Sequence, residues 1–365
     1  VAFTVVVAPD SFKGSLDARS AAAALRDGWL EVRPSDDVRL HPQADGGEGT
    51  LDAVEAAVPG ARRVSAGDVA GPDGRPTPGE WLELPDGTAV VELAQMSGLP
   101  LMATLDALGA STRGLGQVLR AATESGARRL LVGLGGSAST DGGAGALAEL
   151  GLVATGGSLT AGGGALAGIR DLDSSGVLTA PPFGVQLLTD VAAPLTGPTG
   201  AAAVFGPQKG ASPAEVVELD AALTHFAELG GGDPHLPGTG AAGGTGYGLA
   251  TFWDAGIVSG ADHLAELTGL PAAIAGADLV LTGEGRFDSQ SLGGKVVGQL
   301  IARADAAGTR VAVVAGSVAA SAEAAGVPVW TAALVDHADS VEAAIAEPAR
   351  WLRAAGAEAA RQLGS

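Results

Sequence analysis

The residues of this chain that could do chemistry fall into a few short clusters, most of them rich in glycine. Residues 133–145 (GLGGSASTDGGAG) set Ser137, Ser139 and Asp141 among glycines that include Gly135, Gly136 and Gly142. Glycine has no Cβ, so backbone N–H groups can approach an anion closely, and such a strand-to-helix turn suits phosphate or carboxylate binding. Residues 44–50 (ADGGEGT) place Asp45 and Glu48 three apart around a glycine pair. Carboxylates so placed can hold Mg2+, accept a proton from a substrate hydroxyl, or favour the N-terminus of a following helix. Asp190 ends an apolar run and is a candidate base or metal ligand, with turn capping as the alternative. Residues 281–291 (LTGEGRFDSQS) carry Glu284, Arg286 and Asp288, and Arg286 suits a substrate carboxylate. Asp10 and Ser11 follow another apolar run.

Only three lysines occur among the 21 basic residues, Lys13, Lys209 and Lys295, each beside a glycine. Where arginine fills the other basic positions, Lys13 and Lys295 read as phosphate or carboxylate contacts, and Lys209 divides evenly between function and structure. The formal charge of −20 argues against general nucleic-acid binding, because so negative a body repels phosphate backbones. Without cysteine there is no disulfide frame, thiolate nucleophile or Cys-ligated metal. A GxxxxGK[ST] loop and a GxSxG elbow are both missing, the five histidines lie outside the best clusters, and no His pair has zinc spacing. Residues 238–248 (GTGAAGGTGYG) contain a formal GxGxxG, but no strand precedes it, so they read as a flexible loop rather than a dinucleotide fingerprint. No apolar stretch is long enough for a membrane span, and the first residues read as a strand rather than a leader.

Positioning these clusters requires a scaffold, and the pattern is α/β. Near-continuous apolar runs at residues 4–8, 129–134, 185–188, 279–282 and 311–314 each end in glycine, serine or acid, as strands buried on both faces of a parallel sheet do. Helical periodicity lies between them. One helix follows Ser15 as N-cap, and a second opens at Ser212 with a capping box and Pro213 at N1. Others are expected over residues 295–308 and 340–363, the last interrupted at Pro348. Residues 64–100 are proline-rich and hairpin-like, which fits a second α/β domain inserted into the first. Glycine, 58 of 365 residues, is about twice ordinary usage. Disorder does not explain it, since 46% of residues are hydrophobic and only 17% charged.

Taken together, residues 8–16 (APDSFKGSL), 44–50, 133–145, 201–211 (AAAVFGPQKGA), 240–246 and 282–295 resemble, in order and over essentially the whole chain, the bacterial class I glycerate kinase family of the glycerate 2-kinase type. The resemblance implies transfer of the γ-phosphoryl of ATP to a hydroxyl of D-glycerate with Mg2+, 2-phosphoglycerate being favoured over 3-phosphoglycerate. It also implies a Rossmann-like domain from residues 1–65 plus 275–365, a second α/β domain from 66–274, an active site in the cleft between them, and a cytoplasmic enzyme, monomer or homodimer. Residues 133–145 and Lys295 are then expected on nucleotide phosphate, and Lys13, Asp10, Ser11, Arg286, Glu284 and Asp288 on glycerate. Asp45 and Glu48 are expected on Mg2+ or the acceptor pocket, and Asp190 as base. Two departures stand out: Ala192 and Ala193 replace an acid and an amide, and residues 113–117 read RGLGQ where a Tyr-Gly-Thr-Gly-Glu is usual. The alanines keep open a non-catalytic binding protein on the same scaffold, whereas a dehydrogenase would need the strand-GxGxxG-helix the chain lacks.

Overall fold

The computed structural model describes residues 3–12, 14–292, 296–319, 329–338 and 340–364. Its strands in chain order are β1 (Thr4–Val7), β2 (Asp37–Leu40), β3 (Arg62–Ala70), β4 (Pro76–Glu83), β5 (Thr88–Glu92), β6 (Arg129–Gly133), β7 (Val153–Thr155), β8 (Asp171–Asp173), β9 (Val185–Leu188), β10 (Gly256–Val258), β11 (Leu279–Phe287), β12 (Arg310–Val318) and β13 (Val329–Ala333). The chain is α/β and divides into two compact units. One comprises Val1–Ala44, Asp52–Pro59 and Ala261–Ser365, the other Asp45–Leu51 and Gly60–Gly260. The turn carrying Asp45 and Glu48 thus packs with the inserted segment rather than with the two ends of the chain.

The first unit is built on a parallel sheet in the order β13-β12-β11-β1-β2. Its apolar runs are continuous because both faces are covered. Val5, Val7, Leu279 and Leu281 face a core with Leu25, Trp29 and Leu352, while Val6, Val280 and Val313 face another with Val297 and Leu300. Strand β11 runs on through Gly283 and Gly285 to Phe287, paired with β12 as far as Val318. Glu284 and Arg286 therefore sit on a strand, not in the turn expected after Thr282. A Cβ on Gly283 would lie 2.1 Å from the Val314 carbonyl oxygen, so the glycines here permit close strand packing instead of ending the strand.

The helix Ala18–Val32 is capped by Asp17, whose carboxylate accepts from Ser20 N at 2.7 Å, and not by Ser15. It buries Ala18, Ala21, Ala22, Leu25, Gly28 and Trp29 and packs on the helix Pro348–Leu363. The crossing is backbone-close: a Cβ on Gly28 would lie 1.9 Å from Arg353 O, and one on Gly356 would lie 2.3 Å from Leu25 O.

In the second unit a six-stranded sheet has the order β10-β9-β6-β5-β4-β3. Its first four strands are parallel, and β4 and β3 add antiparallel as the hairpin-like region. A separate β7–β8 ribbon lies outside this sheet. The capping box is formed, with Ser212 Oγ accepting from Glu215 N and Glu215 Oε2 accepting from Ser212 N, and its helix Pro213–Gly230 stops at Gly231 in the left-handed conformation. Residues 238–248, expected as a flexible loop, instead run into a kinked helix, Ala241–Trp253. Ala242, Gly243 and Gly244 at positive φ make the kink before the regular turns begin. Among the described residues no helix is long and apolar enough to cross a membrane.

The Gly28 contact yields a stability test. Gly28→Ala forces two helices apart, and overpacking of this kind costs about 1–3 kcal/mol, against which alanine's better helix propensity returns about 1 kcal/mol. A lowered urea midpoint with unchanged m-value is expected.

Candidate active site at the strand ends of the second unit

The C-terminal ends of β5, β6 and β9 gather some of the residues singled out from sequence, and glycines set how closely they meet. The turn 45–48 crosses these ends at backbone contact. A Cβ on Gly46 would lie 2.4 Å from Leu188 O, one on Gly133 2.4 Å from Gly46 O, and one on Gly135 2.3 Å from Gly47 Cα. Gly135 N donates to Gly46 O at 3.0 Å, which locks the turn to the loop. Asp45 is half-buried and its Oδ1 accepts from Gly47 N at 3.0 Å. Glu48 is exposed, and its Oε1 lies 3.3 Å from where a Gly136 Cβ would sit, so this carboxylate rests on the glycine loop. Asp190, also exposed, accepts at Oδ1 from Ser259 Oγ at 2.8 Å and Gly260 N at 3.1 Å. A Cβ on Gly260 would lie 2.0 Å from Asp45 O. Asp45, Glu48, Asp190 and the start of the 133–145 loop are therefore one cluster.

Two buried charges that sequence reasoning left out or left open hold it. Glu92 ends β5 at 1% exposure, and its carboxylate accepts from Gly49 N at 3.2 Å, Leu51 N at 3.0 Å and Gln95 Nε2 at 3.0 Å. It thereby satisfies amides at the start of the helix Thr50–Ala57. The signal for it was a single acid closing the apolar run Ala89–Val91. Lys209, 2% exposed, donates from Nζ to Ser137 Oγ at 3.2 Å and to the Ser139 carbonyl. Burial pushes its pKa down to about 7, opposed by the charge of Asp141.

The inner half of the glycine loop differs from expectation. Asp141 is fully buried: Oδ2 accepts from Thr112 N and Oγ1, both at 2.8 Å, and from Gly145 N at 3.2 Å, while Oδ1 accepts from Gly143 N at 3.1 Å. Burial raises its pKa against those bonds. Its task is to bind the loop to the following helix, and it has no face for a phosphate. Gly142 packs on Phe226, and Ser139 is wholly buried, so these two are also structural. Gly136 and Ser137 remain at the strand ends, and among the described residues no protein group accepts from their backbone N–H groups.

The other candidates belong to the first unit. Asp10 and Ser11 follow β1, with Asp10 N donating to Gly283 O at 2.8 Å and Ser11 N to Asp10 Oδ1 at 2.6 Å. Glu284 is nearly buried on β11. Arg286 is largely exposed and pairs with Asp288 at 3.1 Å, so a substrate carboxylate would share its guanidinium with that acid. Lys13 and Lys295 lie outside the described residues.

Open parallel sheets whose strand ends carry amide-rich turns and carboxylates are the arrangement in which α/β enzymes commonly bind anions. Comparison with known proteins narrows this. The model of the glycerate kinase family matches residues 5–364. The chain is 42% identical to a Bacillus subtilis glycerate kinase over 303 residues, 80% of this chain and 79% of the relative. It is equally 42% identical to an Escherichia coli glycerate 2-kinase over 304 residues, with the same coverage. A crystal structure described as a glycerate kinase 2 from Salmonella typhimurium LT2 superposes with a TM-score of 0.81 at 34% identity, covering 100% of this chain and 99% of that one. The chain belongs to the glycerate kinase family and is a kinase.

The Glu92 contacts can be tested directly. Glu92→Gln replaces an acceptor-only carboxylate by an amide that leaves one amide donor of the turn unmet, at a cost of about 1–3 kcal/mol. Faster hydrogen exchange at Gly49 and Leu51, with a lower melting temperature, is expected.

Proposed function

We propose that this chain transfers the γ-phosphoryl group of ATP to the C2 hydroxyl of D-glycerate, giving ADP and 2-phosphoglycerate. The observation that carries the reading is the cluster in which two carboxylate turns meet a glycine loop with unused amides. Membership of the glycerate kinase family and the 42% identity to a relative named glycerate 2-kinase support the substrate and the position. ATP as donor implies a cytoplasmic reaction.

Phosphoryl transfer asks a protein for positioning and charge neutralisation more than for covalent help. In this reading the N–H groups of Gly136 and Ser137, with Lys295, bind nucleotide phosphate. Lys13 and Arg286 bind the glycerate carboxylate, with Asp10, Ser11, Glu284 and Asp288 on the substrate side. Asp190 takes the proton of the C2 hydroxyl as its oxygen attacks the γ-phosphorus and the β–γ bridging oxygen leaves with ADP. The Ser259 and Gly260 donors hold one carboxylate oxygen of Asp190, which orients the group for that transfer.

The donor set fits Mg2+. This ion is held by one or two carboxylates together with substrate phosphates rather than by an all-protein cage. Among the described residues no group of three or more His, Cys, Asp or Glu is placed to hold a metal ion by itself, whereas Asp45 and Glu48 share a turn and Glu48 rests on Gly136. Asp45 and Glu48 would hold it, and when bound it neutralises phosphate charge.

Incubation with ATP, Mg2+ and D-glycerate should release ADP only when glycerate is present. In the phosphorus spectrum the product phosphate should be split by the single C2 proton; splitting by two protons would move the reaction to C3, and no glycerate-dependent ADP would end the reading. Asp190→Asn should lower kcat by about 10^2–10^4-fold with a smaller change in KM, the range of general-base catalysis. Lys13→Ala should raise the KM for glycerate.

A further inference from the structure

Burying a lysine is costly unless its ammonium is satisfied. Lys209 closes the single turn Pro207–Lys209 and delivers its Nζ to two points of one loop, Ser137 Oγ and the Ser139 carbonyl. Ser137 Oγ in turn donates to the same carbonyl at 3.2 Å, so side chain and backbone are drawn toward one ammonium. The residue so held, Ser137, is one of the two with an unused amide at the strand ends. Asp141 is the charged group that acts on Lys209, and neither the helix Ala201–Phe205 nor loop residues 135–140 carry a titratable side chain.

We propose that Lys209 is a positioning residue and a proton-controlled clamp: its ammonium holds the Ser137–Ser139 turn in the form whose amides bind nucleotide phosphate. The inference rests on the nucleotide-phosphate reading of that loop. Because burial brings the pKa down to about 7, the clamp passes from charged to neutral within the physiological range. A neutral amine keeps weaker hydrogen bonds, since bonds from an ionised donor are roughly twice as strong. Phosphate binding and Lys209 protonation are therefore linked in the same direction, and raising the pH weakens both.

Stability moves with the opposite sign. The unfolded state holds its lysine proton to about pH 10.5, and the folded state releases it near 7. Between these values the unfolded chain binds the extra proton, so the wild type gains stability with rising pH relative to a variant with an uncharged residue here.

A chain with three lysines allows a direct test, because lysine labelled at 13Cε gives three signals, assigned by Lys13→Met, Lys209→Met and Lys295→Met. The Lys209 signal should titrate near pH 7, while ADP affinity of the wild type relative to Lys209→Met should fall about tenfold from pH 6 to pH 8.5, equivalent to about one unit of linked pKa shift. The KM for glycerate should stay unchanged in Lys209→Met. A Lys209 signal titrating above pH 9, or an affinity ratio flat in pH, overturns the proposal. If Lys209→Met does not fold, the wild-type titration with the two other variants decides. Wild-type protein without glycerate-dependent ADP release would sink the proposed reaction instead, and would leave both the titration and the ADP measurement readable.

Discussion

The site depends on backbone meeting backbone where no Cβ fits. The loop 133–145 is enclosed by two other glycine-bearing segments. On one side stand Gly46 and Gly47; on the other, a Cβ on Gly243 would lie 2.0 Å from Ser139 O and one on Gly248 2.1 Å from Gly142 O. Real side chains do not approach carbonyl oxygens that closely, so each position excludes every residue but glycine unless the loop shifts. The consequence is chemical as much as steric. Only by bringing the 45–48 turn onto the loop does the fold set Glu48 against Gly136 and Asp45 beside Gly260, which itself donates to Asp190.

Close packing alone would leave such a loop free to slide, and buried charges remove that freedom. Glu92, Asp141 and Lys209 are each 2% exposed or less and each is tied to backbone of the cluster. A buried charge stripped of its partner is worth several kcal/mol of destabilisation, which makes these contacts steep in geometry rather than merely favourable. The amides of Gly136 and Ser137 thus sit on a loop fixed from within, and the proposed phosphoryl transfer would draw on that preorganisation, since fixed dipoles need not reorganise as charge develops.

Much of this was legible in sequence. Continuous apolar runs marked β1, β6, β9 and the start of β11, because strands covered on both faces lose their alternation. The Ser212 capping box was readable because its partners are three residues apart. What failed has a common cause. Gly283 and Gly285 looked like a strand end, and residues 238–248 like a loose loop, because glycine in sequence signals freedom, whereas here it answers to a carbonyl oxygen distant in the chain. Asp141 looked exposed to ligand for the same reason: its four donors come from Thr112, Gly143 and Gly145, and only the fold puts Thr112 beside it. Glu92 was passed over because a single acid at a strand end has no local motif.

In the proposed reaction the same arrangement would supply anion chemistry on a chain of formal charge −20. Exposed charges are screened beyond about 8–10 Å at ordinary ionic strength, so the global field acts weakly on a ligand already at the strand ends. What governs there is local. Amide dipoles carry no net charge and add nothing to the acidity of the surface, yet they would present a positive end to a phosphate bound there. A lysine buried beneath them contributes its charge through a medium of low dielectric, where it counts for more than at the surface. Scarcity of lysine is then no handicap: one ammonium held beneath the loop can matter more to an anion there than several on an exterior where arginine already pairs with acid.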